Sequence, residues 1–261
     1  HSLYKFNAPV YYNKAITSLI APYSYGSIMG VGLIYSFIRY RYSREKAYFF
    51  FSIVFLLSIL LSQSKSAIVA SLFVLCILNL VKFSIFSLLF NLLLISALTY
   101  LVIYTNIFYY VSEFIFAVYK SYNTKGFHGT LNSSGSISNR IEQVQIMAQE
   151  FDFIPIFGMG IGKSYLYVES FFILLYRYGL IGLVVIGCVF FHSLQVSKYI
   201  KDATFGTSIY YLCLSLPYFF IFLLITSFSA NIIDQFRVCF IYVGILGIIH
   251  SVHQNLKFIR K

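Results

Sequence analysis

Tryptophan is absent from this sequence, and charge is close to absent. Only 10% of its residues are Asp, Glu, Lys or Arg, and just 8 of those are acidic. A soluble globular domain carries about 25% charged residues, so that class is excluded. Cysteine is sparse too. Cys76, Cys188, Cys213 and Cys239 all fall inside hydrophobic runs, where a thiol acts as a small packing group rather than as half of a disulfide or a metal ligand. With no tryptophan, the aromatic belts at the membrane surfaces fall to tyrosine.

What fills the chain is apolar side chain. Hydrophobic residues make up 59% of the 261 positions, mean hydropathy is +0.81, and 24 Tyr and 29 Phe suit lipid-facing helices and their interfaces. The formal net charge of +11 does not point to nucleic acid. The basic residues lie at the ends of apolar runs and in loops instead of along one face. Anionic membrane lipids and a phosphorylated lipid substrate match that distribution better.

Seven runs have the length and apolarity of membrane helices: 23–38, 47–61, 67–81, 83–107, 179–198, 208–226 and 238–252. The expected fold class is all-α, a polytopic membrane protein with a single membrane domain over 1–261. Gly26, Gly30 and Gly32 in the first run suit close helix packing. Pro217 is expected to bend or start the sixth. Residues 1–21 read as an extramembrane lead-in, 108–166 as a long loop and 227–237 as a short polar crossing. Residues 167–178, too short and polar to span, read as an interfacial helix.

Orientation follows from the short loops. The turns at 39–46, 82 and 198–202 and the tail at 257–261 hold ten of the 19 basic residues, against Glu45 and Asp202 alone. The positive-inside rule assigns them to the cytoplasm. The lead-in, the turn at Lys65, the long loop and the 227–237 crossing then face outward.

One stretch, 133–182, breaks the apolar pattern: SSGSISNRIEQVQIMAQEFDFIPIFGMGIGKSYLYVESFFILLYRYGLIG. Polar, charged and glycine residues collect there between two hydrophobic blocks, and such a segment of a membrane protein is the place to look for chemistry. Its order is Gly-Ser-x-Ser-x-Arg, a helical run, an acidic residue, Pro-x-Phe-Gly-x-Gly-x-Gly, a polar pair, an aliphatic run, then Tyr-Gly-Leu-Ile-Gly. That ordered set resembles the bacterial O-antigen ligase/polymerase family, polytopic glycosyltransferases acting on undecaprenyl-pyrophosphate-linked sugars. Members usually carry several more helices before the matching region. The sequence starts at His1 with neither a methionine nor a basic–apolar–small signal pattern, and is expected to be the C-terminal part of a larger protein.

The resemblance implies catalytic roles for Arg140 and Glu169. Arg140 matches the arginine of the family's Ser/Gly-x-Arg motif, where a guanidinium offsets charge on a departing pyrophosphate. The competing reading is a surface ion pair with Glu142 or Asp152. Glu169, in Val-Glu-Ser, stands where ligases tend to have His-Asn and polymerases often have other residues, Glu-Ser included. It is either the base that activates the acceptor hydroxyl or a partner of Lys163 or Arg177. Lys65, in Ser-Gln-Ser-Lys-Ser, replaces the family's arginine, keeping the charge and losing the bidentate fork. It contacts phosphate or snorkels at a helix end. Lys163, Arg177 and Arg237 complete the substrate-binding candidates, with Arg237 alternatively paired to Asp234.

Gly158-Met159-Gly160-Ile161-Gly162 lacks the preceding strand of a dinucleotide fold and reads as a tight turn. His192, His250 and His253 have no helical metal spacing with a carboxylate, so no metal site and no cofactor are expected. The resemblance thus implies a polymerase of lipid-linked repeat units in the bacterial plasma membrane, serving O-antigen (lipopolysaccharide) or capsule biosynthesis. Its partners would be the undecaprenyl-pyrophosphate-linked oligosaccharide, membrane lipids and a chain-length regulator protein, and no nucleic acid. A ligase of the same family and a flippase or transporter of lipid-linked sugars are the alternatives. Against transport, the spans are nearly free of charge and show no repeat.

Overall fold

The computed structural model describes residues 22–62, 64–80, 96, 156–158, 171–227 and 236–259. Six α-helices account for nearly all of these: α1 (Pro22–Ser43), α2 (Lys46–Ser62), α3 (Lys65–Leu80), α4 (Phe171–Lys201), α5 (Ser208–Ser227) and α6 (Phe236–Ile259). No strand occurs among the described residues. The lead-in, the run at 83–107 apart from Ser96 and nearly all of the 108–166 loop lie outside them.

Among the described residues, three segments are long and apolar enough to cross a membrane: Arg177–Thr204, Ser208–Ser227 and Val238–Phe258. The 20 residues of α5 reach about 30 Å at 1.5 Å per residue, the thickness of a bilayer's hydrocarbon core. α2 and α3 are apolar but shorter, at 17 and 16 residues. α2 turns Phe50 (63% exposed), Leu57 and Leu61 outward and buries little besides Ile59 and Leu60. An apolar face of that size is a liability in water and the normal exterior of a helix in lipid.

Packing fixes the direction of every helix. Gly26 of α1 backs onto Ser62 at the end of α2, Gly32 backs onto Phe55, and the Arg39 guanidinium lies 4.1 Å above the Tyr48 ring near the start of α2. The pair is therefore antiparallel. Gly26 also meets Ala67 of α3, while Arg41 donates a hydrogen bond to the Leu78 carbonyl, so α3 runs parallel to α1. Gly30 sits against the Phe222 ring of α5, and Arg39 donates to Ser208 Oγ at 3.0 Å, which makes α5 antiparallel to α1. The glycines of α1 thus do not form one dimer-type seam. Each admits a different neighbour.

The second half of the bundle closes around α5. Phe190 of α4 stacks on Phe220 with centroids 4.4 Å apart. α6 runs parallel to α4, pairing His250 with His192 (5.2 Å) and His253 with Tyr199 (5.1 Å). α5 is the central helix: its Leu216, Phe219 and Phe222 are fully buried, in one core cluster with Leu33, Ile34, Val74 and Ile249 of its neighbours. Serines and threonines fit between apolar helices because their hydroxyls bond back along their own helix. Ser71 donates to the Ala67 carbonyl (2.7 Å), Ser215 to Tyr211 (2.7 Å) and Thr226 to Phe222 (2.8 Å).

Several boundaries depart from expectation: α1 continues past 38 through the expected basic turn to Ser43, and α6 continues past 252 to Ile259. Pro217 does not start its helix but sits inside a continuous α5, where close neighbours tolerate the missing backbone bond. α3 begins at Lys65, two residues early, after Ser62 and Ser64 tie the turn (Ser64 N–H to Ser62 Oγ, 3.2 Å). α4 extends to Lys201 and is broken at Gly179 (φ 67°, ψ −176°), the position that separates the expected interfacial helix from the fifth span. Beyond Lys201, a 3-10 turn (Asp202–Thr204) leads to Thr207, whose hydroxyl accepts the Tyr210 N–H at 3.4 Å and caps α5.

Candidate functional site

The bundle has two unlike ends. At one, α1 and α4 finish and α2 and α5 begin, gathering Arg39, Arg41, Arg44, Lys46, Lys198 and Lys201; Lys257 closes α6 on the same side. Arg39 is the clamp of this basic end. It bonds the Tyr35 hydroxyl (3.2 Å) and Ser208, lies between the Tyr48 and Tyr211 rings, and approaches Glu45 at 3.7 Å. Desolvation alone would lower its pKa; the hydrogen bond to Tyr35 and the Tyr35, Tyr48 and Glu45 groups outweigh that and raise it.

The opposite end collects the sequence candidates that fall within the described helices. Lys65 is the first residue of α3 and Arg237 the second of α6, both at helix starts. Arg177 lies two residues before the break in α4. The helix directions bring all three to one end, although 172 residues separate Lys65 from Arg237 (237 − 65). Arg177 is half-buried. The side chains of Lys65 and Arg237, and Arg140, Lys163 and Glu169 in full, lie outside the described residues.

At this end two pieces of the 133–182 stretch meet, backbone against backbone. Gly158, in Ile156-Phe157-Gly158, and Gly179, in Arg177-Tyr178-Gly179, both have positive φ, 64° and 67°. A Cβ on Gly158 would stand 2.5 Å from the Arg177 carbonyl oxygen and 2.5 Å from the Gly179 nitrogen. A Cβ on Gly179 would collide with the Ile156 carbonyl and the Gly158 nitrogen. The Ile181 N–H donates to the Ile156 carbonyl at 3.2 Å. Positive φ and contact this close are both open to glycine and to little else, so the two glycines form a clasp. It pins the Phe157–Gly158 turn to the head of the long apolar segment of α4 and holds Arg177 at the joint.

The histidines gain partners that spacing did not reveal. Ser193 Oγ lies 3.2 Å from His250 Nε2, joining α4 to α6. The residues are 57 apart, so only the parallel pairing of the two helices makes them neighbours. Among the described residues, no group of three His, Cys, Asp or Glu side chains converges as a metal site would require. The four cysteines are free thiols, with Cys213 buried and Cys188 exposed. No family model, curated protein or solved structure matches this chain.

Proposed function

We propose that the protein is a membrane glycosyltransferase that polymerises oligosaccharide repeats carried on a lipid pyrophosphate. The observation that carries the reading is the clasp. Ile156-Phe157-Gly158, from the Pro-x-Phe-Gly piece, and Gly179, from Tyr-Gly-Leu-Ile-Gly, touch through glycines that no other residue replaces without strain. The polar pair and the aliphatic run separate these two pieces in the resembled motif set. A contact so demanding makes sense where a turn must be aimed.

In this reading seven spans cross the plasma membrane, the long loop and the Lys65 end face outward, and the growing glycan on its lipid pyrophosphate is the donor. The acceptor hydroxyl of the incoming repeat attacks the anomeric carbon as its bond to the pyrophosphate oxygen breaks. Glu169 takes the hydroxyl proton. Arg140 stabilises the charge that builds on the leaving lipid pyrophosphate, and Lys65, Lys163, Arg177 and Arg237 supply further cations for its phosphates. The chemistry asks for no nucleotide sugar and no metal.

The test is gel analysis of surface glycan from a strain lacking the protein. A polymerase leaves lipid capped with a single repeat. Loss of all capped lipid would instead place the protein among ligases or flippases, and unchanged polymer would remove it from the process.

A further inference from the structure

The basic end contains a cavity of about 230 Å³ where α1, α3, α4 and α5 meet. Three cations line it: Arg41 from α1 and Lys198 and Lys201 from α4. Its remaining wall is largely apolar, with Leu194 and Pro217 among the lining groups. A water molecule's share of liquid volume is about 30 Å³, so the space holds a phosphate with a small substituent.

The charge there exceeds what the helices need. A helix terminus carries about half a charge. Three C-termini, of α1, α3 and α4, and the N-terminus of α5 converge at this end, a net of about −1. Three cations leave a surplus of about two. Nearby acids do not remove it. Glu45 is engaged with Arg39 at 3.7 Å, and Asp202 reaches Lys201 only at 3.9 Å with its carboxylate 88% exposed, a geometry contributing about 0–1 kcal/mol. The site is also pre-set, because one Arg41 N–H is held by the carbonyl of Leu78, another lining residue, which anchors the guanidinium at the cavity wall with further donors of its five-donor fork to offer a ligand.

From this we infer that the Arg41–Lys198–Lys201 cavity binds a phosphate-bearing group, either the headgroup of an anionic phospholipid or free phosphate. The inference rests on the membrane character of the chain and is independent of glycosyl transfer. Basic recesses between membrane helices recognise lipid phosphates in this manner, each cation near the surface contributing about 1 kcal/mol.

The experiment titrates the purified full chain, in neutral detergent, with phosphatidylglycerol, phosphatidylcholine or inorganic phosphate, reading the thermal midpoint. Saturable stabilisation by phosphatidylglycerol, absent with phosphatidylcholine and not competed by inorganic phosphate, identifies a lipid headgroup; stabilisation by inorganic phosphate identifies the free ion. Lys198→Gln/Lys201→Gln is expected to raise the half-saturating concentration about 30-fold. Lys257→Gln, at the same end but outside the cavity, is expected to leave it unchanged. If the double variant does not fold, Lys198→Glu serves, since that side chain is exposed, and the same loss is expected. Stabilisation by neither ligand overturns the inference. So does an equal effect of Lys257→Gln, or wild-type binding by Lys198→Glu.

Discussion

Replacing Gly179 with alanine is expected to open the glycine clasp, and the size of the effect follows from its geometry. A non-glycine residue at φ 67°, ψ −176° costs about 1–3 kcal/mol. The new methyl would also stand 2.5 Å from the Gly158 nitrogen. Backbone cannot yield cheaply there, so the turn at 156–158 must lift away, giving up the Ile181 N–H to Ile156 carbonyl bond, about 1 kcal/mol. Gly179→Ala should therefore destabilise the protein by about 2–4 kcal/mol. Gly158→Ala meets the reciprocal contacts and should cost a similar amount.

The double variant is the sharper measurement. Once one alanine has opened the clasp, the second has little left to break, so the two costs should fail to add by about 2–3 kcal/mol. Reversible unfolding of the full chain in mixed micelles reads all three variants, and glycan length in cells reads the consequence for activity. Additive costs, or a Gly179→Ala protein as stable as wild type, would refute the contact as described.

Arg140→Ala should abolish polymer while the protein still inserts, at a loss of about 10²–10³ in rate, with Arg140→Lys recovering part; wild-type chain lengths from the alanine variant would end its assignment. Glu169→Gln keeps shape but cannot accept a proton, so polymer should vanish, whereas full-length polymer would leave only an ion-pair role. Cysteine placed at Ser133 should label from outside the cell and cysteine at Ser43 should not, and the reverse pattern would invert the topology. Gly30→Leu forces a side chain into the Phe222 ring and should cost about 1–3 kcal/mol, partly relieved by Phe222→Ala in a detergent stability assay.

Composition alone determined the class. With 10% charge and 59% hydrophobic residues, the chain must bury its backbone polar groups in helices within lipid, and apolar runs marked α2, α3 and α5 to within two residues and α6 at its start. Gly179 was legible as a junction because a polar-faced run stops there and an uninterrupted one begins. Tertiary structure decided what periodicity cannot carry. Whether Gly26, Gly30 and Gly32 serve one neighbour or three depends on which helices surround α1. That Gly158 and Gly179 touch, that Ser193 reaches His250, and that Lys65, Arg177 and Arg237 share an end all depend on helix direction. So does the cavity of Arg41, Lys198 and Lys201, which the sequence offered only as two basic turns marking a side of the membrane. Each of these pairs residues far apart in the chain. A sequence states which face of a helix is apolar or small, and only packing selects what that face meets.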